Sequence, residues 1–184
     1  LDGFLKSLEI DINVRIEDEK QRDLASIIKV SEISEGLVME DERVKVTALK
    51  VVHGLLENCF AFKFETKDKK VVFSGDTIYF PPLIEFSKDA DLLVHEVMLE
   101  RGINVLAERL RKVKPNLIDH LMISHTTAED AAKLAKEANV KHMVFNHYVP
   151  HIPKEFPNLE FVDAAKRVWD GKITAGYDLC EIDF

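Results

Sequence analysis

All seven histidines of this sequence lie beyond residue 52, and two of them close apolar runs. These are Leu49-Lys50-Val51-Val52-His53 and Met143-Val144-Phe145-Asn146-His147. A third run, Val71-Val72-Phe73, leads into Ser74-Gly75-Asp76-Thr77. In each case a metal-capable side chain directly follows a predicted strand. A strand is rigid and the loop after it is open, so such a position holds a side chain still and leaves it accessible. Two imidazoles and one carboxylate suit zinc or another borderline divalent metal, and an Asp can bridge two ions. Taken singly, each has a plainer reading: a histidine hydrogen-bonded at a strand end, or Gly-Asp in a turn. Recurrence at the same topological position is what argues for a site.

A fourth place is Ser124-His125-Thr126-Thr127-Ala128-Glu129-Asp130. Thr126 or Thr127 caps the helix that follows, and Glu129 or Asp130 suits its positive first turn. That accounts for the threonines and the acids but not for His125, whose imidazole could bind substrate or protonate a leaving group. In Leu92-Leu93-Val94-His95-Glu96, His95 or Glu96 could orient a ligand or His125 from behind. His120 and His142 fit no pattern and read as surface residues, and His151 reads as a loop residue near His147.

The elements that must position these groups follow from periodicity. Leu1 to about Arg15 reads as a helix and Ile27–Ile33 as a strand. A hairpin pairs Leu37–Met39 with Val44–Val52, and strands follow at Phe60–Phe64 and Val71–Phe73. Beyond Pro81-Pro82 the pattern changes. A short helix to Ser87, a strand at Asp91–Val97, a helix at Ile103–Val113 and an amphipathic helix at Thr127–Ala138 come in turn. Then come a strand at Val140–Asn146, a helix at Phe161–Trp169 and short strands near Ile173 and at Cys180–Ile182. Hairpins first and strand–helix alternation later predict an α/β (α+β) fold, a mixed sheet with helices on its outer face.

The length of 184 residues and the 46% apolar content fit one globular domain. No run approaches the ~18 apolar residues of a membrane span, which argues against a membrane partner. Two cysteines without CxxC spacing, Cys59 and Cys180, predict reduced thiols and a cytoplasmic location. A net charge of −8 makes nucleic acid a less favoured partner than a small molecule.

The ordered set His53, Ser74-Gly75-Asp76-Thr77, Val94-His95-Glu96, Ser124-His125-Thr126-Thr127 and Asn146-His147 resembles the later motifs of the metallo-β-lactamase superfamily. The branch most resembled holds RNase Z and the arylsulfatase-like hydrolases, and Gly176-Tyr177-Asp178-Leu179 is similar to the end of arylsulfatase-like members. The resemblance implies an αββα sandwich with two divalent metal ions, zinc first among the candidates, at one edge. It implies His53, Asp76 and His147 as metal ligands, Asp76 bridging. It also implies a catalytic pair, His125 at the substrate with Glu96 beside it, and a bimetal-activated water attacking an ester or phosphodiester.

The family's His-x-His-x-Asp-His signature is absent, and none of the 52 residues before His53 is a histidine. The expectation is therefore a C-terminal part, residues 1–184 of one domain whose N-terminal portion is missing, inactive alone. Its apolar strands predict pairing with that portion or a homo-oligomer. Only 23 positions separate His53 from Asp76, too few for a long tRNA-gripping arm. That favours an arylsulfatase-like hydrolase over a tRNA 3′-processing endonuclease; a non-catalytic binding module is the third reading.

Overall fold

Alternation along the strands decides which face of the sheet each side chain meets. In the computed structural model, which describes residues 1–184, seven strands join into one sheet in sequence order. The chain divides into two units, Leu1–Ile33 and Ser34–Phe184.

The first unit holds α1 (Asp2–Ser7), α2 (Glu9–Asp18) and α3 (Leu24–Ile27), none of which buries a residue. The helix expected over Leu1–Arg15 is thus two helices. The strand expected at Ile27–Ile33 does not form: α3 ends at Ile27 and the chain continues without regular structure. A strand needs a hydrogen-bonded neighbour, and this β-branched stretch has none.

The second unit runs β1 (Gly36–Glu40), β2 (Lys45–His53), β3 (Leu56–Glu65), β4 (Lys70–Phe73), α4 (Pro82–Phe86), β5 (Leu92–Met98), α5 (Glu100–Leu110), α6 (Leu117–Met122), α7 (Ala128–Glu137), β6 (His142–Val149), α8 (Asn158–Lys166) and β7 (Lys172–Ala175). The first four strands are antiparallel and the last four parallel. Hence β2, β4, β5 and β6 all point the same way, and their C-terminal ends lie along one edge.

Val51, Ala61, Val72, Leu93, Met143 and Phe145 pack with Leu83, Leu134, Phe161 and the alanines of α7 in a single apolar core. The opposite face carries Phe60, Phe62, Phe64, Val71, Phe73 and Val94. Phe64 and Phe73 meet edge to face at 5.7 Å, and Phe73 is 41% exposed. The expected mixed sheet with helices on one face is therefore present. Two finer expectations fail. Cys180–Ile182 forms no strand, and His142 is buried, its Nε2 at 2.9 Å from Thr174 Oγ1. His142 stands where β6 pairs with β7, so the neighbouring strand covers it.

Candidate metal centre

Each of the strand-end residues reaches the common edge through a local irregularity. The β2–β3 ladder slips between Val51 and His53, and Gly54, at φ +54°, turns the chain back. That turn docks on the segment before α7: Gly54 N–H donates to Ile123 O at 2.9 Å, and His53 Nδ1 lies 2.7 Å from Ser124 O. A carbonyl only accepts, so Nδ1 carries the proton and Nε2 keeps its lone pair.

Asp76 follows β4 on a loop that crosses Phe60. Gly75 sits at φ +61°, and a Cβ there would lie 2.6 Å from Phe60 O. No other residue fits both demands.

His147 is the extra residue of a bulge. Asn146 pairs with Glu96 and Tyr148 with Val97, leaving His147 unpaired at φ +42°. Bulges re-aim a side chain, and here Nε2 comes to 3.2 Å from Asp76 Oδ2.

His125 arrives by a route the sequence hid. The unexpected helix α6 ends at Met122, and His125 N–H donates back to Leu121 O at 3.0 Å. The His125 ring lies 5.1 Å from that of His53 and 5.5 Å from that of His147, centre to centre. Ligand atoms of His53, Asp76 and His125 fall within 4.8 Å of one another. Behind them Glu96, 1% exposed, receives three donors on Oε1: Thr77 N–H at 3.1 Å, Thr126 N–H at 3.0 Å and His125 Nδ1 at 3.3 Å. Burial disfavours the His125 cation, but the bond to Glu96 and the charges of Glu96 and Asp76 outweigh it, and the imidazole is held above its ordinary value.

All five residues singled out for the site therefore gather at one edge: His53, Asp76, His125 and His147 in front, Glu96 behind. His125 stands among the possible ligands as closely as His53 does. His95 does not join them; it is fully buried, its Nδ1 donating to Glu96 O at 2.7 Å. Two imidazoles and a carboxylate within reach of one another, His53, His125 and Asp76, with His147 touching Asp76 as well, offer the donor types of a borderline divalent ion, so these residues fit such a group.

A cavity of about 920 Å3 opens beside His147, with Asn146, Tyr148, His151, Asn158 and Tyr177 in its wall and no lysine or arginine. Tyr148 O–H donates to Gly176 O at 3.1 Å, and burial, then Cys180, pushes its pKa up to about 12. It is a neutral wall at physiological pH.

Known proteins share this architecture. Ribonuclease Z of Mycobacterium marinum is 27% identical over 183 residues, covering all of this chain and 63% of that protein. The zinc phosphodiesterase ELAC protein 2 homolog of Caenorhabditis elegans is 33% identical over 119 residues, which is 65% of this chain and 12% of that protein. The chain thus spans less than two thirds of the length of these relatives. Among solved structures, the metallo-beta-lactamase fold protein YhfI of Bacillus subtilis matches with a TM-score of 0.59 at 19% identity, over 87% of this chain and 59% of that one. Human tRNase Z, short form, matches at 0.53 and 21%, over 80% and 44%. A family model described as a beta-lactamase superfamily domain matches residues 10–148, about three quarters of the sequence. The chain belongs to the metallo-β-lactamase superfamily.

Proposed function

We propose that this chain carries one side of a divalent-metal site in a hydrolase that cleaves a phosphodiester bond. The observation that carries the reading is the convergence of His53, Asp76, His125 and His147 from four separate segments. His53, Asp76 and His147 act as ligands, His53 through the Nε2 lone pair that its bond to Ser124 leaves free. When bound, divalent ions supply Lewis acidity at the scissile group and acidify water. His125, held through Nδ1 by Glu96, presents Nε2 to the reacting group. That bond to a buried carboxylate favours the protonated ring, from which a proton can pass to the leaving oxygen. Glu96 is a positioning residue, since it is buried behind His125. Four donors fall short of two sites that each need about four, so the remaining ligands come from elsewhere in the complete protein. The signature His-x-His-x-Asp-His upstream of Leu1 is the expected source, in keeping with the length of the relatives.

The relatives' names favour a nucleic-acid phosphodiester, RNase Z-type removal of a tRNA 3′ trailer. One observation favours a small uncharged ester instead: the cavity beside His147 has no cation to meet a phosphate backbone. The deciding experiment uses the full-length protein with zinc. Precursor tRNA and a 4-nitrophenyl ester are offered separately, with bis(4-nitrophenyl) phosphate as the general phosphodiester. Asp76→Ala is expected to lose bound zinc and about 100-fold or more in turnover. Unchanged zinc and turnover would sink the metal-site reading, and a wild type inert on all three substrates would favour the binding module.

A further inference from the structure

Two threonines precede α7, and only one of them caps it. Thr127 Oγ1 accepts the Asp130 N–H at 3.2 Å, which completes the cap. Thr126 has no part in that, yet it is 1% exposed and all its polar atoms are engaged. Its hydroxyl donates to Thr77 O at 2.5 Å, its N–H to Glu96 Oε1 at 3.0 Å, and its carbonyl accepts from Met98 N–H at 2.8 Å.

These bonds join two loops that regular structure does not join. Asp76 lies on a loop anchored at its ends by Ser74 N–H to Val94 O and Ile78 N–H to Val52 O. His125 lies on a loop anchored to α6. The Thr126 hydroxyl makes the one direct hydrogen bond between the loops, landing on the residue after Asp76 and leaving from the residue after His125. Glu96 Oε1 reinforces it from behind by receiving the N–H groups of both Thr77 and Thr126. The link is dry, since Thr77 is fully buried. Water cannot replace a donor removed from it.

We propose that Thr126 is a positioning residue for the candidate metal centre: its buried hydroxyl straps the Asp76 loop to the His125 loop and so sets the distance between a ligand and the proton donor. This rests on the metal-site reading above. It is distinct from the link between Glu96 and His125, because it acts on backbone placement and not on the imidazole.

The test uses the full-length protein with zinc or cobalt alone. Thr126→Val keeps the shape and removes the hydroxyl; Thr126→Ser restores it. Thr126→Val is expected to weaken zinc binding about 10-fold or more in competition with a chromophoric chelator, and to change the visible spectrum of the cobalt-loaded protein. Thr126→Ser should match the wild type in both. Wild-type affinity and spectrum in Thr126→Val would overturn the proposal while leaving the metal site standing, as would equal losses in Thr126→Ser. A wild type that binds neither ion brings down both. Should Thr126→Val not fold, the wild-type hydroxyl proton decides by NMR. A protected resonance that shifts on adding zinc supports the strap; exchange at the solvent rate with no response to zinc overturns it.

Discussion

His147 holds a left-handed backbone at φ +42°, a conformation that costs a non-glycine residue about 1–2 kcal/mol. The bulge that imposes it also brings the imidazole to Asp76, so strain and placement share one cause. His147→Gly should therefore raise the melting temperature of the metal-free protein, by the equivalent of about 1 kcal/mol, while lowering zinc affinity. A variant that loses both would show that the imidazole, not the backbone, dominates stability there. Gly75 makes the opposite case. Gly75→Ala adds a Cβ 2.6 Å from Phe60 O at positive φ, and a backbone oxygen cannot swing aside. The expected outcome is a loss of about 2 kcal/mol or more, read by thermal melting, with reduced zinc uptake because Asp76 moves with the loop. An unperturbed melt would mean that the β4 loop has slack.

Elements show which parts of this arrangement a linear reading can reach. The apolar runs ending at His53, Phe73 and Asn146 were legible because a strand buried on one or both faces writes its own pattern. Their shared edge comes from two causes: the antiparallel pairings on either side of β3 make β2 and β4 run the same way, and strand–helix alternation makes β4, β5 and β6 parallel. Helix α6 was not legible: six residues carry too little periodicity, although Asn116 stands at its N-cap position. Missing it hid why His125 sits as close to His53 as any ligand would. Ile27–Ile33 failed in the other direction, since β-branched composition cannot supply a partner strand. Where the elements are tied together, Asp91 matters most: it accepts Lys70 N–H at 2.8 Å and Lys141 Nζ at 2.8 Å, joining the starts of β4, β5 and β6. The Lys141 bond holds its carboxyl below the usual value, so its contribution is complete above the unfolded carboxylate range and fades as pH falls through the lowered one. Lys141 is largely exposed, so solvent screening keeps the effect small. Asp91→Asn should lower the melting temperature at neutral pH and narrow the gap to wild type as pH falls below the ordinary carboxylate value of about 4; a constant gap would refute the linkage.

For the whole molecule, two histidines set an earlier acid boundary. Burial pushes His95 and His142 below the ordinary imidazole value, and Lys172 adds to this at His142. Below about pH 6.5 the unfolded chain protonates these two rings and the folded one refuses, so their contribution to stability falls with pH in that window, while His125, held above its ordinary value, works the other way. His142→Leu should shift the stability difference between about pH 7 and 5 in favour of the lower pH, measured by denaturant titration; the same pH dependence in variant and wild type would exclude the effect. No helix of the chain is long and apolar enough to cross a membrane.

The common edge has a further consequence. Its four front residues are separated by up to 94 positions, from His53 to His147, and no short peptide of this sequence contains them together. An ion held there would act as a staple across most of the second unit, closing loops that an unfolded chain leaves open. Stripping it with a chelator should loosen the tips of β2, β4 and β6 together, seen as simultaneous gains in amide exchange at sites far apart in sequence.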